Sequence, residues 1–328
     1  MAPDRIGVGL IGVGRHGLRY ARHIVHDLPA ASLRAVCRQH PEQGFDLPGT
    51  SAIKVYGSAE SLIADPTVDV VVVVTPPLYT RDVCRLAVQA RKPMLIEKPL
   101  ATTATDANAM VTMAREAAVP LMTAQTLRFD NTIQQTKELQ PRIGRSERLH
   151  LISQIEKRET APGHADGYGK RGALLEIGVH MLDLVRVMTD EEVDEVRCTT
   201  DVRPVLSPET AASIRLVTSG GTVCQIEIAR VSTGRVGRAD WWGAKGRLEV
   251  DWPACQVRCC DGTGTHAFDL PPSQTVLATL TAFLQAVREG TPMPITGEDG
   301  WRAVELAEAC YQSAQLGGAP VTLPISMY

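Results

Sequence analysis

Residues 69–74 read DVVVVV, and five consecutive valines leave the backbone few options. Branching at Cβ favours extended chain, and a strand with no polar residue on either side must be covered on both faces. That is the situation of an interior strand in a parallel sheet with helices above and below. The flanking sequence supplies the other layers. Residues 5–11 (RIGVGLI), 32–37, 53–55, 93–96 (PMLI) and 120–123 read as further strands, and 18–28 (LRYARHIVHDL), 78–90 and 103–118 as helices. Alternation of this kind predicts a doubly wound α/β domain over residues 1–123.

Between the first strand and the first helix stand Gly12, Val13, Gly14, Arg15, His16 and Gly17, a GxGxxG pattern in the context that gives it physical meaning. Gly12 permits the tight turn, Gly14 lets a pyrophosphate approach the backbone, and Gly17 lets the helix pack close to the strand. Free N–H groups at the helix start then receive the phosphates of a dinucleotide. The end of the second strand sets the preference at the adenosine ribose, where an Asp or Glu binds the 2′-hydroxyl of NAD. Here that place holds Arg38, followed by Gln39 and His40. A guanidinium pairs with a 2′-phosphate, so the sequence favours NADP(H), with NAD(H) as the other candidate.

At 328 residues the chain has room for a second domain, expected over 124–328. Segments 145–156, 193–202, 210–217, 222–231, 246–252 and 255–260 alternate apolar and polar residues, as strands of a half-covered sheet do. Helices at about 273–289 and 298–317 close the chain, the last expected to pack back on the first domain. The balance of 34 basic and 37 acidic residues argues against nucleic acid or an anionic membrane as partner. Eight scattered cysteines, no apolar run of membrane length and a strand beginning by residue 5 point to a reduced, cytoplasmic protein. Cys255, Cys259 and Cys260 cluster, but their flanks read as strand and turn without a completing histidine pair, and no metal is expected.

The second domain's chemistry concentrates in residues 173–188, ALLEIGVHMLDLVRVM. Its apolar residues cover most of a helix surface, so the helix is buried. Glu176, His180 and Asp183 fall at i, i+4 and i+7 on one face. Two carboxylates and an imidazole on a buried stripe cost free energy unless paired, and in a dry cleft they suit general acid/base work. The preceding segment 157–172, KRETAPGHADGYGKRG, reads as a polar loop over a substrate cleft, with His164, Asp166, Tyr168 and Lys170 as candidate contacts. Of the adjacent Trp241 and Trp242, at most one could stack on a sugar, because neighbours on a strand face opposite ways.

Together GVGRHG at 12–17, Thr75-Pro76-Pro77, Glu97-Lys98-Pro99 and the set Gly172, Glu176, His180, Asp183 resemble the motifs of the glucose–fructose oxidoreductase/inositol dehydrogenase (Gfo/Idh/MocA) family. Arg128-Phe129, GAKG at 243–246 and GEDGWRAVELAEA at 297–309 extend the likeness along nearly the whole chain. The resemblance implies an N-terminal Rossmann domain and a C-terminal α/β domain with a large, open, mostly antiparallel sheet, through which a homodimer or homotetramer forms. It implies hydride transfer between nicotinamide and a carbonyl or secondary alcohol of a sugar or cyclitol. Lys98 is then the group reaching the substrate oxygen, and His180 the general acid/base, oriented by Glu176. Thr75, Pro76, Pro77, Glu97 and Gln125 would line the nicotinamide, and Asp183, Tyr168 and His164 would touch substrate. Three departures stand out: Glu176 where many members have Asp, Leu78-Tyr79-Thr80 where a His often follows, and Arg171-Gly172 in place of a double glycine. Three other uses of such a scaffold stay open: imine reduction, NAD-dependent oxidation–elimination, and ligand sensing without turnover.

Overall fold

The computed structural model describes residues 5–49, 53–157, 164–202 and 208–324. The chain forms two compact units: Met1–Thr126 with Gln274–Trp301, and Leu127–Ser273 with Arg302–Tyr328. The sequence places one boundary at 123/124. The division instead falls at 126/127, and a later segment returns to the first unit.

The first unit runs β1 (Ile6–Ile11), α1 (Gly17–His26), β2 (Ala31–Cys37), β3 (Lys54–Tyr56), α2 (Ala59–Ile63), β4 (Val70–Val73), α3 (Thr80–Gln89), β5 (Met94–Glu97), α4 (Ala104–Glu116) and β6 (Leu121–Ala124). Six parallel strands lie in the order β3-β2-β1-β4-β5-β6, the Rossmann arrangement. All four residues of β4 are fully buried, as the valine run requires. The order reverses between β1 and β4, which opens a crevice at the carboxyl ends of those strands. The short helix α2, capped by the Ser58 hydroxyl accepting from the Ser61 N–H, carries no periodic signal and is absent from the sequence reading.

Between α2 and β4, Asp65 is buried and fully engaged. It accepts from Lys54 and Tyr56, both at 2.9 Å, and from the Thr67 N–H and hydroxyl at 2.8 and 2.7 Å. Burial alone would raise its carboxyl, but these four donors hold it well below the usual carboxylate range.

The second unit contains α5 (Asn131–Ile143), β7 (Ser146–Glu156), α6 (His164–Gly167), a π-helical turn (Leu174–Gly178) running directly into α7 (Val179–Thr189), and the strands β8 (Val193–Thr200), β9 (Ala211–Thr218), β10 (Val223–Val231), β11 (Arg235–Gly243), β12 (Gly246–Asp251), β13 (Gln256–Asp261) and β14 (Gly264–Asp269). Helices α8 (Thr275–Glu289) and α9 (Gly297–Gln315) and the short β15 (Val321–Thr322) complete the chain. Helix α8 belongs to the first unit, where it packs on α1 and Arg288 donates to the Ala30 carbonyl at 3.1 Å. Only the first five residues of α9 group with the first unit, the rest with the second.

The nine-stranded sheet has the order β14-β13-β12-β11-β7-β10-β9-β8-β15. Its described pairings are antiparallel except β7 with β10. Its inner face carries Leu149, Leu151, Ile214, Leu216, Ile226, Ile228, Trp241 and Leu248 into the core that buries α7. On the other face Trp242 sits between two guanidiniums, Arg148 at 3.8 Å and Arg247 at 4.9 Å from its ring centre. Trp241 points inward and donates from Nε1 to the Ser146 hydroxyl at 2.8 Å. Both tryptophans thus have structural partners. No helix among the described residues is long and apolar enough to cross a membrane.

Candidate active site

In the first unit the nucleotide-binding features gather at the carboxyl ends of β1, β4, β5 and β6. Gly12 has φ +92°, and a Cβ there would meet the Val74 carbonyl oxygen at 2.6 Å, so only glycine fits the turn. Gly17 approaches so closely that its Cβ would lie 2.0 Å from the Gly12 carbonyl oxygen. A Cβ on Gly14 would meet nothing within 4 Å: the loop leaves open space over its backbone, as a phosphate cradle must. Of the buried side-chain oxygens that have no partner among the described residues, two follow a strand at this edge, Thr75 Oγ1 after β4 and Gln125 Oε1 after β6, and a third, Thr123 Oγ1, lies within β6. These residues fit a dinucleotide. The loop would hold the phosphates and the orphaned oxygens of Thr75 and Gln125 would meet the amide end of a nicotinamide. Pro76 is exposed and Pro77 buried as the short 3₁₀ turn Pro77–Tyr79 begins.

Glu97 ends β5 as a buried carboxylate held by three hydrogen bonds. Its Oε1 accepts from Tyr20 at 2.6 Å and is bonded at 2.6 Å to His16 Nε2; its Oε2 accepts the Lys98 N–H at 2.9 Å. Burial pushes the carboxyl up, yet the hydrogen bond and charge of His16, the Lys98 ammonium and the Tyr20 hydroxyl bring it below its ordinary value. Tyr20 responds in the opposite sense: burial first, then the Glu97 charge, drives its phenol well above 10.0. Lys98 is half-buried and precedes a cis peptide to Pro99. Arg38, at the end of β2, donates to the Gly44 carbonyl at 2.6 Å and to the Gln43 side chain, so its guanidinium is braced by the loop beyond.

In the second unit the expected single helix over 173–188 resolves into the π turn and α7. The π turn carries Glu176, and His180 lies in the first turn of α7; both are half-buried. Asp183 is buried at 1% exposure, and its two oxygens accept from Arg128 Nε and Nη2 at 2.8 and 2.5 Å. This bidentate pair ties Asp183, which the resemblance places against substrate, to the turn Thr126–Phe129. Glu176 forms an ion pair with Arg230 of β10, a partner 54 residues away that no local pattern marks.

The helix start is held by Glu209, also unforeseen. One of its carboxylate oxygens accepts the Leu174 N–H at 2.8 Å and the Tyr311 hydroxyl at 2.8 Å, and both lie 3.1 Å from the Gly172 nitrogen. A Cβ on Gly172 would fall 2.0 Å from the Glu209 carbonyl oxygen, so the single retained glycine of Arg171-Gly172 is required by this contact. Burial and the Glu209 charge raise the Tyr311 phenol far above its ordinary value.

Among the loop candidates, Tyr168 packs against the core of the second unit, whereas Asp166 and Lys170 are exposed. His164 opens α6 and its side chain lies outside the described residues, as do residues 158–163 of the same loop.

Two family models match the chain. One, an oxidoreductase family with an NAD-binding Rossmann fold, covers residues 6–125, and the other, the GFO/IDH/MocA C-terminal domain, covers residues 140–249. Myo-inositol 2-dehydrogenase of Thermotoga maritima is 26% identical over 94% of this chain and 96% of its own. D-apiose dehydrogenase of Rhizobium rhizogenes is 24% identical over 94% of this chain and 95% of its own. The crystal structure of a probable dehydrogenase from Thermotoga maritima superposes with a TM-score of 0.83 at 25% identity, covering 98% of this chain and all of that one (100%).

Proposed function

The chain belongs to the Gfo/Idh/MocA oxidoreductase family, and we propose that it is an NADP(H)-dependent enzyme that interconverts a carbonyl and a secondary alcohol on a sugar, cyclitol or related polyol. The observation that carries this reading is the Glu97–Lys98 turn: a buried carboxylate, fixed by three donors, sets the residue bearing a cation at the carboxyl edge of the sheet. The named relatives act on an inositol and on apiose, which supports a polyhydroxylated substrate.

When bound, the nicotinamide supplies or accepts a hydride. The work of the protein is to hold the ring and manage the proton. Thr75 and Gln125 anchor the carboxamide with their unused oxygens, and the Gly12–Gly14 backbone receives the diphosphate. Lys98 Nζ donates to the substrate oxygen and offsets negative charge as it develops there. His180 gives a proton to that oxygen in reduction and takes it in oxidation. Glu176, balanced by Arg230, keeps a negative charge one turn from the imidazole and favours its protonated form in the transition state. Arg38, with no acid in the following two positions, provides the cation for a 2′-phosphate. Assembly through the outer face of the nine-stranded sheet and a cytoplasmic site of action belong to the same proposal.

Calorimetric titration with NADPH and NADH, followed by a screen of keto-sugars, keto-cyclitols and imines, tests it. Tighter NADPH binding with turnover of a keto-polyol is expected. Tighter NADH binding overturns the cofactor preference, and turnover confined to imines overturns the substrate class.

A further inference from the structure

His16 has no assigned part in the reaction, yet its position is unusual. It belongs to the phosphate loop, in the fifth place of GVGRHG, and its side chain is 46% exposed. Its Nε2 nevertheless reaches 2.6 Å from Oε1 of the buried Glu97, 81 residues further along the chain. Tyr20, one helical turn beyond His16, donates to the same oxygen at 2.6 Å, and the two rings meet edge to face with centres 5.5 Å apart. Because one carboxylate oxygen takes both bonds, Glu97 cannot shift toward either donor without stretching the other. The remaining oxygen accepts the backbone N–H of Lys98 at 2.9 Å. An unbroken chain of hydrogen bonds therefore runs from the loop expected to carry the dinucleotide diphosphate to the peptide group of the lysine expected to meet substrate.

We propose that His16 is a positioning residue for Lys98: through Glu97, it makes the placement of the lysine depend on what occupies the phosphate loop. This deepens the dinucleotide reading of the same unit and rests on it. The physical basis is the low tolerance of short, charge-assisted hydrogen bonds for displacement. A diphosphate settling on the Gly14–His16 backbone draws on the loop N–H groups. His16 moves with that backbone, the carboxylate follows, and the Lys98 peptide is carried along. Tyr20, fixed inside α1, acts as the pivot. The arrangement differs from a packing contact in using an exposed imidazole, whose loss opens no cavity.

The test uses ADP carrying a 2′-phosphate, the adenosine half of NADPH and called ADP below, which has the diphosphate but neither the second ribose nor the nicotinamide, so it cannot cover Lys98 directly. Full-length protein is acetylated sparingly with acetic anhydride, with and without saturating ADP, and the rate at Lys98 is read by peptide mass spectrometry. In the unsubstituted protein ADP is expected to change the Lys98 rate about fivefold or more, the range of a modest coupling between sites. His16→Ala should bind ADP, as followed by calorimetry, and lose that change. His16→Gln, which retains an N–H donor of similar reach, should recover most of it. An unchanged Lys98 rate in the unsubstituted protein, or an equal response in His16→Ala, overturns the coupling and leaves the oxidoreductase reading intact. Failure of the unsubstituted protein to bind ADP overturns the assignment of the loop to a diphosphate, and the coupling with it.

Discussion

Arg230, next to last in β10, closes an ion pair with Glu176 of the π turn across 54 residues of sequence. The pair ties the sheet to the segment that carries the proposed proton donor, and both partners are mostly withdrawn from water, at 16% and 27% side-chain exposure. A carboxylate of this kind needs its cation, because either charge left alone would lose most of its stabilisation.

Arg230→Met is therefore expected to lower turnover more than tenfold while leaving dinucleotide affinity unchanged. The double variant with Glu176→Gln should be less impaired in stability than the two single effects add up to, with a coupling of about 1–2 kcal/mol. Urea unfolding of the four proteins measures it, and strict additivity would show the pair to be inert.

Lys98→Ala and His180→Ala should each reduce kcat by about 10²-fold or more while NADP(H) still binds, as expected for charge stabilisation and proton transfer. Stopped-flow hydride transfer together with calorimetry separates the two effects. Near-normal turnover in either variant removes that residue from the mechanism.

Arg38 divides its guanidinium between the Gly44 carbonyl and the Gln43 side chain. Arg38→Asp should weaken NADPH binding by about tenfold or more and leave NADH binding unchanged or improved, since a carboxylate accepts from a ribose diol and repels a phosphate. Affinities for both dinucleotides decide it. An unchanged ratio would restrict Arg38 to bracing its loop.

Glu209 is 1% exposed and gathers the Gly172 and Leu174 N–H groups and the Tyr311 hydroxyl. Glu209→Ala strands all three donors and should cost about 3 kcal/mol, whereas Tyr311→Phe, which removes one bond, should cost about 1 kcal/mol. Equilibrium denaturation reports both.

The acid limb of stability should run through Asp65. Its folded carboxyl lies below the unfolded value, so its contribution is complete above about pH 4 and is lost as pH falls further. Asp65→Asn should flatten the decline in melting temperature below about pH 4 and lower the plateau above it. A decline as steep as in the unsubstituted protein would place the acid sensitivity elsewhere.

What could be read from the sequence was local. The valine run, the glycine loop and the Glu-Lys-Pro turn each announce themselves within a few residues, and the six parallel strands follow. Strand β11 escaped because its Arg and Gly residues break the alternation, although it is interior to the sheet. Helix α5 escaped because its composition is polar and Pro141 lies inside it. In the site, Glu176 and His180 were visible from their spacing, but Arg230 and Glu209 were not. Their partners lie tens of residues away, and no local pattern records a pairing made by the fold. Nor does spacing distinguish a π turn from an α turn, since the same side chains serve both.

Residues 274–301 complete a unit that begins at the other end of the chain. The order of synthesis gives this a consequence. When the first 126 residues have left the ribosome, the surface of α1 that α8 will cover is still bare, and it stays so while nearly 150 more residues are made. The nascent sheet must wait for its last helix or rely on a chaperone in the interval. For the same reason no single cut between residues 126 and 127 yields two whole pieces, and exchange of either unit between related proteins requires three crossovers, at 126/127, 273/274 and 301/302.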